Sequence, residues 1–195
     1  MSLSLPSFPA RPGRDQAALD ASRAIVGLYL RERSSDFSVR ELAAHAKISE
    51  RSFYRYFPRK EDAIRPYVEA ALGQLLAEVR AALHRQSLFD AVLSANAALL
   101  DTALANGGSA FLTVVQESEP LRAVWLEILT GAEAAWAELV AEHCGLDPAS
   151  VHARFAAAAI VAAGRVALEV GAPPSRALAA CFALLSPELL VRRCP

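Results

Sequence analysis

The amino-acid sequence predicts an all-α protein of about nine helices, in which a small helix-turn-helix unit precedes a larger helical domain. Apolar residues recur at helical spacing through most of the 195-residue chain, and no alternating run typical of a β-strand is present. Gly and Pro stand between these stretches, where they end or open helices. With 54% hydrophobic and 21% charged residues, the composition is that of a folded protein with a sizeable core.

The N-terminal segment, residues 1–13, contains three prolines and a glycine and predicts a flexible arm. Arg11 in this arm, and Arg14 next to it, could contact phosphates or a minor groove, or the arm could have no role. From Asp15 to about Glu32, apolar residues at helical spacing predict the first helix.

The segment that follows predicts two short helices joined by a tight turn. Ser38 is a suitable N-cap for the first helix, and Glu41, three residues later, is its capping-box partner. Ser49 can cap the second helix, which directs Phe53 and Phe57 toward the core.

The polar side of the second short helix is a candidate DNA-binding surface. An α-helix fits the major groove of B-DNA, and the N-terminal part of a recognition helix reaches the base edges. We expect base contacts from Glu50, Arg51 and Ser52, next to the capping residue Ser49. Phosphate contacts are expected from Ser38, Tyr54, Arg55 and Lys60, and Tyr56 could face either the DNA or the fold. Arg51 or Arg55 could also pair bidentately with guanine.

Charge is distributed unevenly along the chain. Residues 1–66 contain 12 Lys and Arg against 8 Asp and Glu, whereas residues 67–195 contain 8 against 13, so the two parts carry charges of +4 and −5. Pro58 ends the second short helix, and Arg59 and Lys60 behind it are expected at the height of the phosphates. This basic end coincides with the predicted DNA-binding surface, which strengthens that interpretation.

In these residues the chain resembles the TetR (tetracycline repressor) family of bacterial transcription regulators. The family pattern has Ser or Thr at the start of its second helix, followed by an apolar pair and a Tyr-x-x-Phe-x-x-Lys run. This chain matches it with Ser38, Leu42, Ala43, Tyr54, Phe57 and Lys60. The resemblance covers about the first third of the chain. It implies three DNA-binding helices, about six helices in a regulatory domain, and a repressor that a small molecule releases from its operator.

Two departures from the family pattern concern turns. Lys47 and the Ser34-Ser35 pair stand where the family usually has Gly. A non-Gly residue in a left-handed conformation costs about 1 kcal/mol, so Lys47 predicts a strained turn or a slightly different one.

The remaining periodic stretches predict six further helices. Their ranges are from about Lys60 to His84, Ser87 to Asn106, Ser109 to Glu117, Glu119 to Cys144, Asp147 to Gly171, and from Ser175 to about Arg192. Pro66 lies in the early turns of the first of these and could act as a pivot or as a fixed kink. We predict three segments: an arm at 1–13, a DNA-binding domain at 14–60, and a ligand-binding and dimerisation domain at 61–195.

The stretch from Phe155 to Gly171 is apolar and small on nearly all sides, and the last helix is also rich in apolar residues. A helix that is apolar all round must be buried on every side, so part of this surface should meet a partner. The resemblance implies that the last two helices pair with their copies in a homodimer, whose two recognition helices would contact two half-sites.

A ligand cavity is expected among the fourth to eighth helices. Its lining should be mostly apolar with a few polar groups. The candidates are Asn96, Phe111, Thr113, Gln116, Trp125, Ile128, Trp136, Phe155 and Arg165. Any single one of them is more often a plain core residue than a ligand contact. For Asn96 the alternative is a locally satisfied amide, and for Arg165 it is an ion pair with Glu169. The few charges in this set favour an uncharged or amphipathic ligand.

The sequence contains no motif for an enzyme or a cofactor. There is no phosphate-binding Gly-rich loop, no HExxH, no Cys-x-x-Cys and no Gly-x-Ser-x-Gly, and the four histidines lack metal-ligand spacing. Cys144, Cys181 and Cys194 are an odd number of thiols, which suits a reducing compartment. With no signal peptide and no membrane-spanning run, we expect a cytoplasmic protein. The alternatives are a DNA-binding protein of this fold without an effector and, less consistently with the sequence, a helical enzyme.

Overall fold

We analysed a computed structural model of the chain, which describes residues 14–101, 109–170 and 174–184. These residues form nine α-helices and contain no β-strand, so the predicted all-α class is confirmed. The helices are α1 (Arg14–Glu32), α2 (Val39–His45), α3 (Glu50–Tyr56), α4 (Arg65–Ala82), α5 (Leu88–Asn96), α6 (Ser109–Glu117), α7 (Glu119–Cys144), α8 (Val151–Glu169) and α9 (Pro174–Ala183). A 3-10 helix, Lys60–Ile64, precedes α4 and is called the connecting helix below; a π-helix, Ala97–Asp101, follows α5.

The described residues divide into two compact units. The first contains those up to Gln74 and those from Ser109 to Ile128; the second contains those from Leu75 to Asp101 and from Leu129 onward. The first unit therefore extends well past residue 60, into α4, α6 and α7. Compactness does not report function, so the division at 14–60 and 61–195 stays a prediction.

The core of the first unit forms where α1 packs against α2, α6 and the connecting helix. Aromatic residues of α3 and aliphatic residues of α1 and α2 fill it. Ile25, Val26, Leu42, Phe53, Phe57, Ala63 and Ile64 are all fully buried. As expected from their helical spacing, Phe53 and Phe57 are the inward residues of α3 and its C-cap, with ring centroids 5.0 Å apart.

In the second unit, α9 packs against α8 and α5. The inward face of α8 consists largely of alanine, with Ala153, Ala156, Ala157, Ile160, Ala163 and Ala167 buried. Small side chains allow close approach of neighbouring helices. Its opposite face is apolar but exposed, and includes Val151, Phe155, Val166 and Val170. Burial of α8 on every side is thus not achieved by the described residues of this chain.

The start of α4 differs from the prediction. The connecting helix takes the place of its first turn, and α4 begins at Arg65 rather than near Lys60. The buried hydroxyl of Ser22 explains the change, because it donates to the carbonyl of Ala63 at 2.6 Å and accepts from the Tyr67 N–H at 3.1 Å. A side chain inserted in this way interrupts the i to i−4 ladder. Pro66 is the second residue of α4, where no intrahelical N–H bond is required, so the interior kink expected there is not needed.

Other boundaries agree or shift slightly. Ser109–Glu117 and Glu119–Cys144 are as predicted, and Gly145 after α7 has φ +64°. The eighth helix begins at Val151 with Ser150 as N-cap, not at Asp147, because the Ser150 side chain accepts from the Ala153 N–H. Predictions for 1–13, for Asn106 to Gly108, for Gly171 and for the chain beyond 184, including Cys194, lie outside the described residues.

Candidate nucleic-acid interface

The first turn of α2 is stabilised by a capping box, as predicted. The Ser38 Oγ accepts from the Glu41 N–H at 3.3 Å, and the Ser38 N–H donates to Glu41 Oε2 at 2.8 Å. The Ser38 hydroxyl also donates to Glu41 Oε2 at 2.7 Å. These side-chain and backbone hydrogen bonds from Ser38 hold the pKa of Glu41 below its ordinary value.

The turn between α2 and α3 closes through two backbone hydrogen bonds. The Ile48 N–H donates to the Ala43 carbonyl at 3.0 Å, and the Lys47 N–H donates to the Ala44 carbonyl at 3.1 Å. This is the Schellman arrangement, which requires a left-handed residue directly after the C-cap. Lys47 occupies that position with φ +56°, so of the two alternatives the turn is the left-handed one, which is unfavourable for a non-Gly residue.

A second non-Gly residue with a left-handed backbone follows α1 directly. It is Arg33, with φ +52°, and it precedes the Ser34-Ser35 pair that stands where the family usually has Gly.

The α3 helix has one buried and one exposed side. The Ser49 Oγ caps it by accepting from the Ser52 N–H at 3.1 Å. Of the residues predicted to contact bases, Glu50 and Arg51 are exposed and Ser52 is half-buried. Tyr54 and Arg55, predicted at phosphates, are exposed as well, and Lys60 is half-buried at the start of the connecting helix.

Three side chains near the end of α3 form a small cluster. Arg55 donates through Nη2 to Ser52 Oγ and to the Tyr56 hydroxyl, both at 3.2 Å. Its guanidinium lies 5.0 Å from the centroid of the Tyr56 ring, a distance at which a cation–π interaction forms. Tyr56 is half-buried against the core, so its ring faces the fold while its hydroxyl holds Arg55.

Several cations of this region carry no ion pair. Within the described ranges, the side chains of Arg40, Lys47, Arg51 and Lys60 have neither an ion pair nor a hydrogen bond. Unpaired cations around a polar helix attract a polyanion, because each neutralised phosphate releases condensed counterions.

Arg59 is not among them, although the sequence suggested a cation at phosphate height. Its Nε and its backbone N–H both donate to Asp62 Oδ2 at 3.0 Å, and its Nη2 donates to Asp62 Oδ1 at 3.0 Å. Nη2 also donates to Glu127 Oε2 at 2.9 Å. Arg59 is therefore engaged within the first unit.

Asp62 and Glu127, the two acids that bind Arg59, both have pKa values below their ordinary ones, which favours their ionised forms. Burial alone would raise the pKa of Asp62, but hydrogen bonds from Arg59 and the charges of Arg59 and Arg65 hold that pKa below its ordinary value. The hydrogen bond from Arg59 similarly lowers the pKa of Glu127, and that of Arg65 adds to it. The spacing of Arg59, Asp62 and Arg65 could have suggested local ion pairs; nothing in the sequence indicated Glu127.

Five of the predicted ligand residues lie in the first unit. Phe111 and Ile128 are buried in its core, and Trp125 packs partly buried against it. The rings of Phe111 and Trp125 meet edge to face with centroids 6.5 Å apart. Gln116 is exposed, as is Thr113, so the structure does not bring these polar groups into that aromatic contact.

The other four predicted ligand residues lie in the second unit. Asn96 is buried, and its Nδ2 donates to the Val92 carbonyl at 2.8 Å, which is the locally satisfied amide weighed as the alternative. Trp136 is buried in the core. Arg165 makes its ion pair with Glu169 at 3.1 Å.

Phe155 lies on the surface rather than in an enclosed cavity. Its side chain is 48% exposed and borders a groove of about 800 Å³ that α7 and α8 line together with the segment between them. A second groove of about 700 Å³, in the first unit, is lined by charged residues that include Arg55, Arg59 and Asp62. The predicted ligand-binding role of all nine residues stays a prediction.

Two properties of the described part of the chain bear on other functions. No group of three His, Cys, Asp or Glu side chains in it is placed to hold a metal ion. By length and composition, α8 is the one described helix that could cross a membrane, and a third of that stretch is buried in the fold.

Comparison with known proteins identifies the segment built around this interface. Residues 32–64 match the family model described as bacterial regulatory proteins, tetR family. The match begins at the end of α1 and extends through α2 and α3 to the end of the connecting helix. No curated protein shows significant similarity to the chain. With a helix-turn-helix that carries the family pattern and a recognition helix that exposes its polar side, residues 32–64 are similar to the DNA-binding segment of bacterial regulatory proteins of the tetR family.

Proposed function

We propose that this protein is a homodimeric cytoplasmic repressor without enzymatic activity, which leaves its operator DNA when a small apolar or amphipathic molecule binds. The observation that carries the proposal is the division of α3 into two sides. Phe53 and Phe57 anchor the helix in the core, while Glu50, Arg51, Tyr54 and Arg55 are exposed. A rigidly anchored helix with a polar outer side is what major-groove recognition requires.

Within this surface we assign different roles to different side chains. Glu50, Arg51 and Ser52 belong to the first turn of α3, which in a helix-turn-helix contacts base edges. Tyr54, Arg55, Lys60 and the Ser38 side of α2 would contact phosphates. The hydroxyls of Ser38 and Ser49 are occupied as caps, so their contribution would be to orient the helices.

Dimerisation is supported by the exposed face of α8. Val151, Phe155, Ala162, Val166 and Val170 recur along it at spacings of 4, 7, 4 and 4 residues, which correspond to one or two helical turns, and all five are exposed. A continuous apolar stripe of this kind marks a surface that another helix covers. A second copy of the same helix would cover it with a self-complementary interface and would present two copies of α3.

Release by a small molecule is supported by the family resemblance together with the aromatic lining candidates. Phe111, Trp125 and Ile128 lie close together in the first unit, and Trp136 lies in the core of the second. Their apolar character favours an uncharged or amphipathic effector.

The decisive experiment uses DNA that the full-length protein itself selects from a random duplex library. Anisotropy of the selected duplex is measured at two salt concentrations and with a panel of apolar and amphipathic metabolites. Salt-sensitive binding that one compound relieves would support the proposal. Binding that no compound disturbs would favour the effector-free alternative, whereas failure to select any sequence would contradict operator recognition.

A further inference from the structure

The carboxylate of Glu127 in α7 contacts two arginines, Arg59 and Arg65, which lie at the two ends of the connecting helix that follows α3. Glu127 Oε2 accepts from Arg59 Nη2 at 2.9 Å and from Arg65 Nη2 at 2.8 Å, and its Oε1 lies 3.5 Å from Arg59 Nη1. Glu127 is separated from these arginines by 68 and 62 residues of sequence. This contact is therefore made by tertiary folding within the first unit.

The local partner of the two arginines cannot replace Glu127. Asp62 already accepts three hydrogen bonds from Arg59, and its contact with Arg65 Nη2 is longer, at 3.4 Å. Without Glu127, Arg59 would keep only Asp62 as an acidic partner, and Arg65 would keep the longer contacts to Asp62 at 3.4 Å and to Glu69 at 3.6 Å. Glu127 supplies a second negative charge next to Arg59 and Arg65, and it binds the outer edge of the Arg59 guanidinium.

The connecting helix is held on its other side by α1. Ser22 bonds to Ala63 and Tyr67, and the side chains of Ala63 and Ile64 are fully buried. Only Phe57 and Pro58 separate the end of α3 from Arg59, so a shift of Arg59 is transmitted directly to the end of α3.

We propose that Glu127 is a positioning residue for DNA recognition, which fixes the turn after α3 and withholds the Arg59 guanidinium from DNA phosphates. The inference rests on the proposed function, because its effect is read in DNA binding. The side chains of Arg59 and Glu127 are 52% and 48% exposed. Exposed ion pairs contribute little to folding stability, so the role of this contact lies in the placement and neutralisation of a cation.

Glu127→Gln removes the negative charge and keeps the shape of the side chain. Arg59 then becomes available to phosphates of any sequence, so binding to unrelated DNA should strengthen. The slope of log K against log salt should steepen by up to about 0.9, the value for one added phosphate contact. Because the turn after α3 is released at the same time, the ratio of selected to scrambled DNA affinity should fall several-fold.

The test uses the full chain, the duplex that the wild-type protein selects from a random library, and a scrambled duplex of the same length and composition. Anisotropy titrations across a salt series give both the slope and the affinity ratio. Glu138→Gln is the matched control, because Glu138 is an exposed acid of α7 that has no ion pair among the described residues. Thermal unfolding followed by circular dichroism verifies that every variant is folded.

The proposal expects Glu127→Gln to change both quantities, Glu138→Gln to change neither, and Arg59→Ala to abolish the effect of Glu127→Gln on the slope. It is overturned if Glu127→Gln behaves like Glu138→Gln, or if the steeper slope persists in the Arg59→Ala background. Either result would leave DNA recognition itself intact. If instead the wild-type protein selects no sequence, the proposed function fails, and the positioning role fails with it.

Discussion

At the scale of single residues, the two arginines of α3 differ in how far they are held in place. Arg55 is held by Ser52 and Tyr56, whereas Arg51, one turn earlier, has no partner among the described residues. The fixed guanidinium of Arg55 is in place to contact a phosphate, whereas the side chain of Arg51 can still adjust its position to a base edge in the groove.

We therefore expect Arg55→Ala and Arg51→Ala to weaken DNA binding in different ways. Arg55→Ala should reduce affinity for selected and scrambled duplexes alike and lower the salt slope by about 1. Arg51→Ala should cost about 1–3 kcal/mol on the selected duplex and relax preference at one base position. Salt-dependent anisotropy distinguishes the two, with Arg85→Ala, an exposed cation of the second unit, as the control. Unchanged affinity of the Arg55 variant at fixed salt would contradict its assignment.

Lys47 has a left-handed backbone conformation that favours glycine over residues with a side chain. At the end of α7 the same closing hydrogen bond, from the Leu146 N–H to the Ala141 carbonyl, surrounds Gly145 with φ +64°. Lys47 adopts φ +56° in the equivalent place after α2.

Lys47→Gly should therefore stabilise the protein, by up to about 1 kcal/mol after the greater freedom of glycine in the unfolded chain is counted. For a chain of this size that amounts to a rise in Tm of about 2–4 °C, measurable by calorimetry. Ala44→Gly, in the exposed interior of α2, should instead destabilise by about 1 kcal/mol. A lower Tm for Lys47→Gly would mean that the strain at this turn is smaller than its φ angle suggests.

At the scale of elements, the connecting helix depends on a buried charge. The Asp62 side chain is only 8% exposed, and although burial would raise its pKa, the arginines at either end of the connecting helix hold that pKa below the ordinary value. Glu127 and Glu69 form ion pairs with these arginines. A carboxyl whose pKa is lower in the folded state adds stability above its unfolded pKa, and this stability is lost as pH falls through the folded value.

Asp62→Asn should accordingly destabilise the protein by about 2 kcal/mol at neutral pH, the loss expected for hydrogen bonds to a charged group. The difference from wild type should be constant above about pH 5 and shrink as pH falls below the usual aspartate pKa of about 4. Urea unfolding at a series of pH values measures it. A difference that stays constant down to pH 3 would show that packing, and not charge, accounts for the loss.

At the scale of the whole molecule, the apolar stripe of α8 and the proposed recognition of two operator half-sites point to the same assembly. Phe155→Lys places a charge in the middle of the stripe and should convert the proposed dimer to a monomer, because an unpaired charge would be buried in the interface. Leu126→Lys, on α7, is the matched control, since Leu126 is similarly exposed at 41%. Analytical ultracentrifugation gives the oligomeric state of both. A monomeric wild type, or a dimeric Phe155 variant, would contradict this interface.

Much of the helix-turn-helix formed by α2 and α3 could be predicted from the sequence, because the residues that determine it act within one helical turn. The caps at Ser38 and Ser49, the inward Phe53 and Phe57, and the strain at Lys47 all followed from residue type and spacing. The same holds for the pair of Arg165 with Glu169 and for the bond of Asn96 to the carbonyl four residues before it.

What only the tertiary structure decided are contacts between residues far apart in the sequence. The Ser22 hydroxyl moved the start of α4 to Arg65, across 41 and 45 residues. Glu127 engaged Arg59, which the sequence alone suggested as a phosphate contact. The candidate ligand residues lie in two different units of the structure. The sequence could not predict this division, because helical periodicity tells which face of a helix is apolar but not which neighbour covers it. The sequence by itself thus determined the helices and the polar side of α3; the partners of their charges depended on how the chain folds back on itself.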